Sequence, residues 1–485
     1  FFFFFFFGNH PPFLKIFFIN QMGKWGLPLL CAPIFLISVI NGAAGGESVR
    51  LEMMHRHDDR LLGETPKPSK LERFKELVRI DGYRQSSWRR RGQEVGGGGP
   101  GTNPDGPHSG ELRMGSAVDL GIAQYVVTIM VGTPPQRVSM LVDTGSDLTW
   151  VKCRPGGSHQ PFHRPGLEFL PDESSSFRTV PCSSAMCKVS LSNMFSLTDC
   201  PTPSSPCAYH FSYMDGATSQ GIFANETVTL DLINTTGRKL PHVLVGCSQS
   251  PGRGDFSAVG GLLGLGFSKF SFARRATLRF GGTYSYCLVD HMSPQNVSSY
   301  LTLGGGPGRC PAGGCRAGMQ FINFRPHECG PLVNVTGISV DGKPLHIPPR
   351  VWDLVAGEIP LDSGTSLTFL EEPVYGAVAA ALAPFLAGFP ALELDIPGVT
   401  ICFNASGFSE ADAPKLAVHF DGGARLEPPP KSYLMDVGAG EARCLGIAPA
   451  VGQKRSIIGN IMQQNHLWEF DLIGKEIGFA PSSCT

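Results

Sequence analysis

The sequence predicts a mainly β protein with two similar lobes, and three observations support this prediction. The 485 residues include 60 glycines and 40 prolines, a share that disfavours a helix bundle and favours short strands joined by turns. From Gln124 onward, apolar strands alternate with tight turns. The third observation is an internal repeat, which predicts two lobes related by a pseudo-twofold axis with the functional site in the cleft between them.

The composition excludes several classes of protein. The chain is 42% hydrophobic and 17% charged, which excludes a disordered chain and a coiled coil. A net charge of −1 supplies no field for nucleic acid. The charge is uneven, however, because residues 47–91 hold 12 Lys and Arg against 8 Asp and Glu, whereas residues 92–485 hold 26 against 33. A basic leader therefore precedes an acidic body.

The cysteines and the glycosylation sequons predict a secretory route. None of the 14 cysteines forms a C-x-x-C pair, so we expect disulfides and no metal site or other cofactor. Glycans are added in the compartment where disulfides form. The five N-x-S/T sequons are Asn225, Asn234, Asn296, Asn334 and Asn404. We expect a glycoprotein that is secreted to the extracellular space or sent to the vacuole.

Proximity along the chain favours three disulfide pairs, although it does not fix the connectivity. The three pairs are Cys182 with Cys187, Cys200 with Cys207, and Cys402 with Cys444. Without the cysteine of the predicted signal peptide, 13 remain, so at least one thiol is expected to lack an intramolecular partner.

Six segments are predicted along the chain. Residues 1–21 are a possible non-native leader, because a start at Met22 gives residues 22–46 the charged, apolar and small-residue layout of a cleaved signal peptide. The apolar run 27–40 is too short for a membrane span. Residues 47–92 form a basic prosegment with one or two amphipathic helices, and 93–117 a flexible, cleavable Gly/Pro-rich linker. The two lobes follow as residues 118–328 and 329–485.

The internal repeat carries the candidate chemistry. Residues 141–151 and 360–370 align without a gap as apolar, Asp, Thr/Ser, Gly, Ser/Thr, any residue, Leu, Thr, aromatic. Each copy is followed by an apolar-apolar-Gly element, at 262–264 and 457–459. A single Asp-Thr-Gly is more often a surface turn than part of a catalytic site. Two copies in matching sequence contexts favour a catalytic site instead.

Two such turns can place Asp143 and Asp362 side by side, because glycine lets the backbone pass tightly beneath a carboxylate. Like charges that close cannot both ionise, so the pair would hold one proton jointly. The ionised carboxylate would take a proton from water, and the neutral carboxyl would donate to a peptide carbonyl oxygen. Water is then the nucleophile, with no acyl-enzyme.

These motifs resemble those of the pepsin-like aspartic proteases, and the fuller pattern is similar to the plant nepenthesin-type branch. The likeness extends from about Leu51 to the end of the chain. It includes residues 51–57, 131–136, 284–288, 337–340, 456–460, 463–465 and 478–480. The resemblance implies the bilobal pepsin-like acid protease fold.

The resemblance also implies roles for individual residues. Asp143 and Asp362 would be the catalytic pair, and Thr144 and Ser363 would hydrogen-bond across the lobes. Ser146 and Thr365 would donate to the carboxylates, with Gly145 and Gly364 completing the two turns. Tyr213 matches the tyrosine of a hairpin flap, and Trp150 the aromatic residue that receives its hydroxyl. The chain departs from the family at Met214, where glycine is usual, and at Cys153, which has no nearby partner.

The hypothesis is an endopeptidase for polypeptide substrates, monomeric and made as a zymogen. Its own prosegment would inhibit it at neutral pH through Lys/Arg–carboxylate pairs and detach on acidification. One alternative is a catalytically weak or inactive relative that acts as an inhibitor, storage or binding protein. Another follows a plant relative associated with chloroplast nucleoids and predicts a plastid protease that binds DNA, which the sequons and the signal-like leader disfavour.

Overall fold

The computed structural model describes residues 49–52, 110–116, 125–154, 166–198, 200–213, 218–232, 235–251, 256, 259–290, 299–304, 318–327, 330–348, 358–396, 398–450 and 455–484, together with residues 69, 71, 72, 74, 75, 78 and 81 of the leader. The predicted signal peptide and residues 1–21 lie outside this description. So do Met214, Asn234 and Asn296.

The described residues form 26 strands. Those of the leader and the first half are β1 (Val49–Glu52), β2 (Gly110–Ser116), β3 (Tyr125–Val131), β4 (Gln136–Asp143), β5 (Trp150–Lys152), β6 (Arg178–Thr179), β7 (Ala208–Ser212), β8 (Thr218–Leu232), β9 (Thr235–Pro251), β10 (Gly261–Gly264), β11 (Thr283–Cys287) and β12 (Ser299–Leu303).

The strands of the second half are β13 (Gln320–His327), β14 (Gly330–Val340), β15 (Lys343–Pro344), β16 (Glu358–Asp362), β17 (Thr368–Leu370), β18 (Cys402–Asn404), β19 (Leu416–Phe420), β20 (Arg425–Leu426), β21 (Leu434–Asp436), β22 (Ala442–Leu445), β23 (Ile447–Pro449), β24 (Ile458–Gly459), β25 (His466–Asp471) and β26 (Glu476–Pro481). The α-helices outside the leader are α1 (Phe272–Phe280), α2 (Glu372–Leu386) and α3 (Asn460–Gln463). The mainly β prediction is confirmed.

The first lobe is built on antiparallel hairpins. β3 pairs with β4, and the long strands β8 and β9 pair along most of their length. Gly132 turns the chain between β3 and β4 at φ +95°, and a Cβ there would lie 2.9 Å from the Phe169 ring, so glycine is required. Buried side chains of these strands, such as Val127 and Val138, form the lobe's core.

The second lobe has β14 at its centre, where it pairs with β13, β16 and β19. Helix α2 covers this lobe with one apolar stripe. Val374, Val378 and Leu382 repeat at every fourth position and are fully buried, which is the spacing of one helix face. Packing of that face fixes the helix against the strands.

A shared sheet joins strands from both halves of the chain. β11 pairs with β12 and β25, and β26 pairs with β25 and β13. The rings of Tyr284 on β11 and Phe470 on β25 stack with centroids 4.7 Å apart. Burying aromatic area between strands distant in sequence ties the two lobes together.

The leader also contributes to this sheet, which the sequence did not predict. Strand β1 pairs antiparallel with β12 and parallel with β2. β2 lies inside residues 93–117, which were expected to be linker, and it pairs with β3 as well. Residues 110–116 therefore belong to the sheet, because their backbone hydrogen bonds are made with neighbouring strands.

Five disulfides among the described residues confirm one of the three pairs expected from proximity and correct the other two. Cys402 bonds Cys444 as expected, but Cys182 bonds Cys200 and Cys187 bonds Cys207. The physical reason is that residues 180–182 lie beside 205–207, as the bridge Pro181–Pro206 and the hydrogen bond from the Cys182 N–H to the Ser205 carbonyl at 2.8 Å show. The sulfurs therefore meet between the two segments rather than within them. Cys153, which lacked a nearby partner, bonds Cys247, and Cys287 bonds Cys484. Cys310, Cys315 and Cys329 lie outside the described residues.

Two further features bear on the organisation of the chain. The expected lobe boundary at 328/329 falls between β13 and β14. Of the helices that the structure describes, none combines the length and the apolar character needed to cross a membrane.

Candidate active site

Two matched strand–turn units carry the candidate aspartates. β4 ends at Asp143 and runs parallel to β10, with Gly264 opposite Asp143. β16 ends at Asp362 and runs parallel to β24, with Gly459 opposite Asp362. A Cβ on Gly459 would lie 2.2 Å from the carbonyl oxygen of Leu367, so only glycine allows this approach. The apolar-apolar-Gly elements of the repeat thus pack beside the two turns.

Each aspartate is buried and receives the same kind of hydrogen bonds. Asp143 is 2% exposed and Asp362 is 3% exposed. Oδ1 of Asp143 accepts from the Gly145 N–H at 2.9 Å, and its Oδ2 accepts from the Ser146 hydroxyl at 2.6 Å. Buried carboxylates need such donors to compensate for lost hydration.

The second turn repeats this pattern. Oδ1 of Asp362 accepts from the Gly364 N–H at 2.8 Å, and its Oδ2 accepts from the Thr365 hydroxyl. We call residues 143–146 the first aspartate turn and residues 362–365 the second aspartate turn.

The two turns are bonded to each other through Thr144 and Ser363. The Thr144 N–H donates to Ser363 Oγ at 3.0 Å, and the Ser363 N–H donates to Thr144 Oγ1 at 2.9 Å. Each hydroxyl in turn donates to a carbonyl of the opposite strand, Leu361 for Thr144 and Val142 for Ser363. These four reciprocal bonds fix the separation of the aspartates.

The carboxylates approach one common point. A Cβ built on Gly145 would lie 3.0 Å from Oδ1 of Asp362 and 3.1 Å from Oδ1 of Asp143. Both of these inner oxygens therefore border the space that a side chain at Gly145 would fill. Two carboxylates that face one small space repel each other when both are ionised.

Asn460 supports the second turn and was not assigned a role from the sequence. Its Nδ2 donates to the Ser363 carbonyl at 3.0 Å, and its backbone N–H donates to the Thr365 carbonyl at 2.7 Å. The side chain is fully buried. The only available signal was its position directly after the apolar-apolar-Gly element at 457–459.

A buried tyrosine lies near the same turn. The Tyr286 hydroxyl donates to Oε1 of Gln463, and Gln463 Nε2 donates to the Ile458 carbonyl at 3.0 Å. Burial, and to a smaller extent the negative charge of Asp362, raises the pKa of Tyr286. The hydroxyl therefore stays protonated and remains a donor.

The hairpin of β7 and β8 bears the candidate flap tyrosine. Tyr213 is 5% exposed, and the Trp150 indole Nε1–H donates to its hydroxyl. The Trp150 and Phe256 rings meet edge to face with centroids 4.9 Å apart. The hydrogen bond holds the β7 end of the hairpin near its tip against Trp150, which lies four residues beyond the first aspartate turn. Residues 214–217 at the tip lie outside the described residues.

Three of the predicted glycosylation positions lie among the described residues. Asn334 is exposed on β14, and Asn225 and Asn404 are partly buried.

The sulfurs of Cys182, Cys187 and Cys200 lie within 4.8 Å of one another. Because each is disulfide-bonded, this cluster offers no free thiolate for a metal.

Two β lobes, each presenting an aspartate on a matched turn, define the class of bilobal aspartic peptidases. Two family models match the chain: the one described as "Xylanase inhibitor N-terminal" covers residues 125–305, and the one described as "Xylanase inhibitor C-terminal" covers residues 332–481. Curated relatives carry protease names. The chain belongs to the pepsin-like aspartic proteases, in the plant nepenthesin-type branch.

Two relatives show the extent of the match. "Aspartyl protease family protein 2" of Arabidopsis thaliana is 32% identical over 383 residues, which cover 76% of this chain and 73% of the relative. "Aspartic proteinase nepenthesin-2" of Nepenthes gracilis is 31% identical over 374 residues, covering 75% and 78%.

Solved structures agree on the fold. Soybean basic 7S globulin superposes with a TM-score of 0.61 at 18% identity, covering 77% of this chain and 97% of the globulin. Conglutin gamma from lupine seeds gives the same TM-score and identity, covering 77% and 95%.

Proposed function

We propose that this chain is an endopeptidase that hydrolyses peptide bonds through general acid/base activation of water between Asp143 and Asp362. The observation that supports it most is the approach of both inner carboxylate oxygens to one point beside Gly145. A water molecule bound between these two oxygens could contact both carboxyl groups at once. The matched donors on each outer oxygen hold the carboxyls in place for this role.

The proposed reaction uses one shared proton. The ionised carboxylate takes a proton from water as the water oxygen attacks the peptide carbonyl carbon, while the neutral carboxyl donates its proton to the carbonyl oxygen. Proton transfer to the amide nitrogen then allows the C–N bond to break. In pepsin the pair loses one proton at a pKa well below the ordinary aspartate range and the other at a pKa above it. We therefore expect activity at acid pH.

The leader and the route of the protein complete the proposal. Residues 22–46 would direct the chain to the secretory pathway, and secretion to the apoplast or delivery to the vacuole would follow. The chain would be made as a zymogen with its prosegment as inhibitor. Acid treatment is expected to remove residues before about Gly110 and to yield activity that a pepstatin-type inhibitor blocks.

The test compares cleavage of an unfolded protein between pH 3 and pH 8 by the wild type, Asp143→Asn and Asp362→Asn. Each substitution should lower the rate roughly 10²–10⁴-fold, because it removes one half of the acid/base pair. Asp421→Asn, an exposed aspartate of the second lobe, is the matched control and should not change the rate. Circular dichroism checks that the variants fold. Wild-type rates in Asp143→Asn would refute the proposal.

A second candidate is an inhibitor or storage protein on the same fold. It is favoured by the xylanase-inhibitor description of both family models and by the seed globulins among the similar structures. If the acid-treated wild type cleaves nothing at any pH but lowers the activity of a xylanase, this candidate replaces the peptidase. The intact pair of aspartate turns favours the peptidase.

A further inference from the structure

A row of paired residues connects β13 to the second aspartate. Arg325 and His327 are two residues apart on β13, so their side chains lie on one face of the sheet. Arg325 pairs with Leu332 of β14, which in turn pairs with Pro360 of β16. Paired residues share a face, and Pro360 lies two residues before Asp362 on the same strand. His327 and Asp362 therefore belong to the same face of the sheet.

Gly330 lies between His327 and the aspartate turns. His327 pairs with Gly330, and the register of β14 with β16, continued by two residues, brings Gly330 opposite Asp362. A Cβ on Gly330 would lie 2.9 Å from the Thr144 carbonyl oxygen and 3.3 Å from Gly145 Cα, so Gly330 packs against the first aspartate turn. Two strand spacings, roughly 10 Å, thus separate the backbone of His327 from that of Asp362.

The charged groups beside His327 carry a net positive charge. Arg325 binds Glu358 of β16, with Nε donating to Oε1 at 2.7 Å and a second donor reaching Oε2. Arg455 is exposed just before β24, and its charge acts on His327. Two positive charges therefore face one negative charge, in a body that is acidic as a whole. We call Arg325, His327 and Arg455 the cationic edge.

Solvent reaches this edge. The Arg325 side chain is 51% exposed although it is paired with Glu358, and Arg455 is exposed. His327 is half-buried between them. A carboxylate that approached from solvent would meet the excess charge of His327 and Arg455, because Arg325 is already balanced by Glu358.

His327 adds its charge only in acid. Burial, and then the positive charges of Arg325 and Arg455, lower the pKa of His327 below 6.5, although the negative charge of Glu358 opposes this. The imidazole is therefore neutral at pH 7 and gains a proton as the pH falls. Asp and Glu side chains of a substrate stay ionised above about pH 4. Attraction to the cationic edge should increase as the pH falls from 7 and weaken again below about pH 4.

The distance to Asp362 defines which part of a substrate would meet this edge. An extended peptide advances about 3.3 Å per residue. A span of roughly 10 Å therefore corresponds to about three residues. The side chain about three residues from the scissile bond would lie beside His327 and Arg455.

We propose that the cationic edge selects polypeptide substrates that carry Asp or Glu about three residues from the scissile bond. This inference rests on the proposed function, because it requires a peptide bound across Asp143 and Asp362. The same charges would disfavour Lys and Arg at that position of the substrate. Arg325 and Glu358 hold the shape of the edge, whereas His327 and Arg455 supply its excess charge.

The first experiment compares kcat/KM of the acid-treated protein at pH 5 for peptide pairs that differ only by Glu or Gln. The Glu or Gln is placed in turn at each position within four residues of the scissile bond, on both sides. At one position the wild type should cleave the Glu peptide roughly three- to tenfold faster, as expected for two partly exposed ion pairs. The Glu/Gln ratio at that position should shrink in about 0.5 M salt, because salt screens exposed charges.

Variants assign that ratio to the cationic edge. It should fall to about one in the double variant His327→Gln/Arg455→Gln, and Arg455→Glu should make it smaller than one. Between pH 7 and pH 5 it should rise in the wild type and stay constant in His327→Gln. The controls are Arg425→Gln and His346→Gln, which change exposed residues of the same lobe and should leave the ratio unchanged.

Each outcome decides between the inference and its basis. A wild-type ratio of one at every position, or a ratio that survives in the double variant, overturns the inference but not the peptidase. If the acid-treated wild type cleaves no peptide, the proposed function fails, and calorimetry measures binding of the same peptides to the full chain. Tighter binding of one Glu peptide that the double variant abolishes then supports the cationic edge, and equal binding of the Glu and Gln peptides overturns it.

Discussion

At the scale of single residues, the two aspartate turns differ in their support. A polar side chain supports the second turn, and the corresponding position in the first lobe holds an apolar residue. Asn460 follows Gly459 and donates to the Ser363 carbonyl, whereas Leu265 follows Gly264 in the first lobe. Asn460 Oδ1 is buried and unpaired in the described part of the chain. Because that oxygen costs free energy, the side chain is better explained by what its Nδ2 positions than by stability.

We predict that Asn460→Leu lowers kcat roughly tenfold with little change in KM, since the Ser363 carbonyl loses its donor and the second turn relaxes. Asn460→Asp keeps the shape but donates only when protonated, so its activity should recover relative to the wild type as the pH falls. Steady-state kinetics from pH 3 to pH 7 measure both. Leu265→Met is the control, and a fall in melting temperature with unchanged kcat would refute the positioning role.

Much of the candidate site could be predicted from the repeat. Asp143 and Asp362 occupy equivalent positions in two copies, so one pattern located both turns and their partner glycines. The hydrogen bond from Asn460 to the Ser363 carbonyl could not be predicted in this way. The same holds for the hydrogen bonds that Asp81 accepts from the Ser366 and Leu367 N–H groups. Each of these contacts joins segments that are distant along the chain. Asp81 lies 285 residues from Ser366.

At the scale of elements, segments with alternating apolar residues could be recognised as strands from the sequence. The strands with which they pair could not be predicted. The leader strand β1 has only four residues, too few for a clear period, and its pairing with β12 is a tertiary property. Two of the three predicted cysteine pairs are wrong for the same reason, since Cys187 lies close to Cys182 in sequence but its sulfur bonds that of Cys207, 20 residues away.

Helix α2 and the turn after β19 allow a matched test of backbone conformation. A Cβ would meet nothing within 4 Å at either Gly376 or Gly422, but only Gly422 has a positive φ, +78°. Gly376→Ala should stabilise the chain by roughly 0.5–1 kcal/mol, because alanine favours the helix. Gly422→Ala should destabilise it by about 1 kcal/mol.

Urea unfolding of both glycine variants in the Asp143→Asn background measures these free energies. Each variant serves as the other's control, because both add one methyl group to an open surface. Equal effects of the same sign would show that the local φ does not decide the outcome.

At the scale of the whole molecule, acid pH has a cost for stability. His466 is 3% exposed and its Nδ1–H donates to the Gln464 carbonyl at 3.0 Å. Burial lowers the pKa of His466 below 6.5, although the hydrogen bond to Gln464 opposes this. Just below about pH 6.5, the unfolded chain therefore binds a proton at His466 that the folded chain does not bind. The contribution of His466 to the free energy of unfolding is fully present above about pH 6.5 and declines as the pH falls below it.

We predict that His466→Gln reduces this decline, by up to about 1.4 kcal/mol for each pH unit between the unfolded and folded pKa values. Urea unfolding at pH 7 and pH 5, again with Asp143→Asn, measures the difference. The exposed His210, changed to glutamine, is the control. An identical loss of stability in the wild type and His466→Gln would contradict the prediction.

The pairing of β1 has a consequence for how the leader departs. β1 is hydrogen-bonded to β12 on one side and to β2 on the other. A cut in the chain between β1 and β2 therefore breaks the covalent link but leaves the backbone hydrogen bonds of β1 in place. The clipped fragment and the body should then migrate as one particle on a sizing column at neutral pH and separate only in acid or in denaturant. A new N-terminus should accordingly be detectable earlier than the first turnover of substrate.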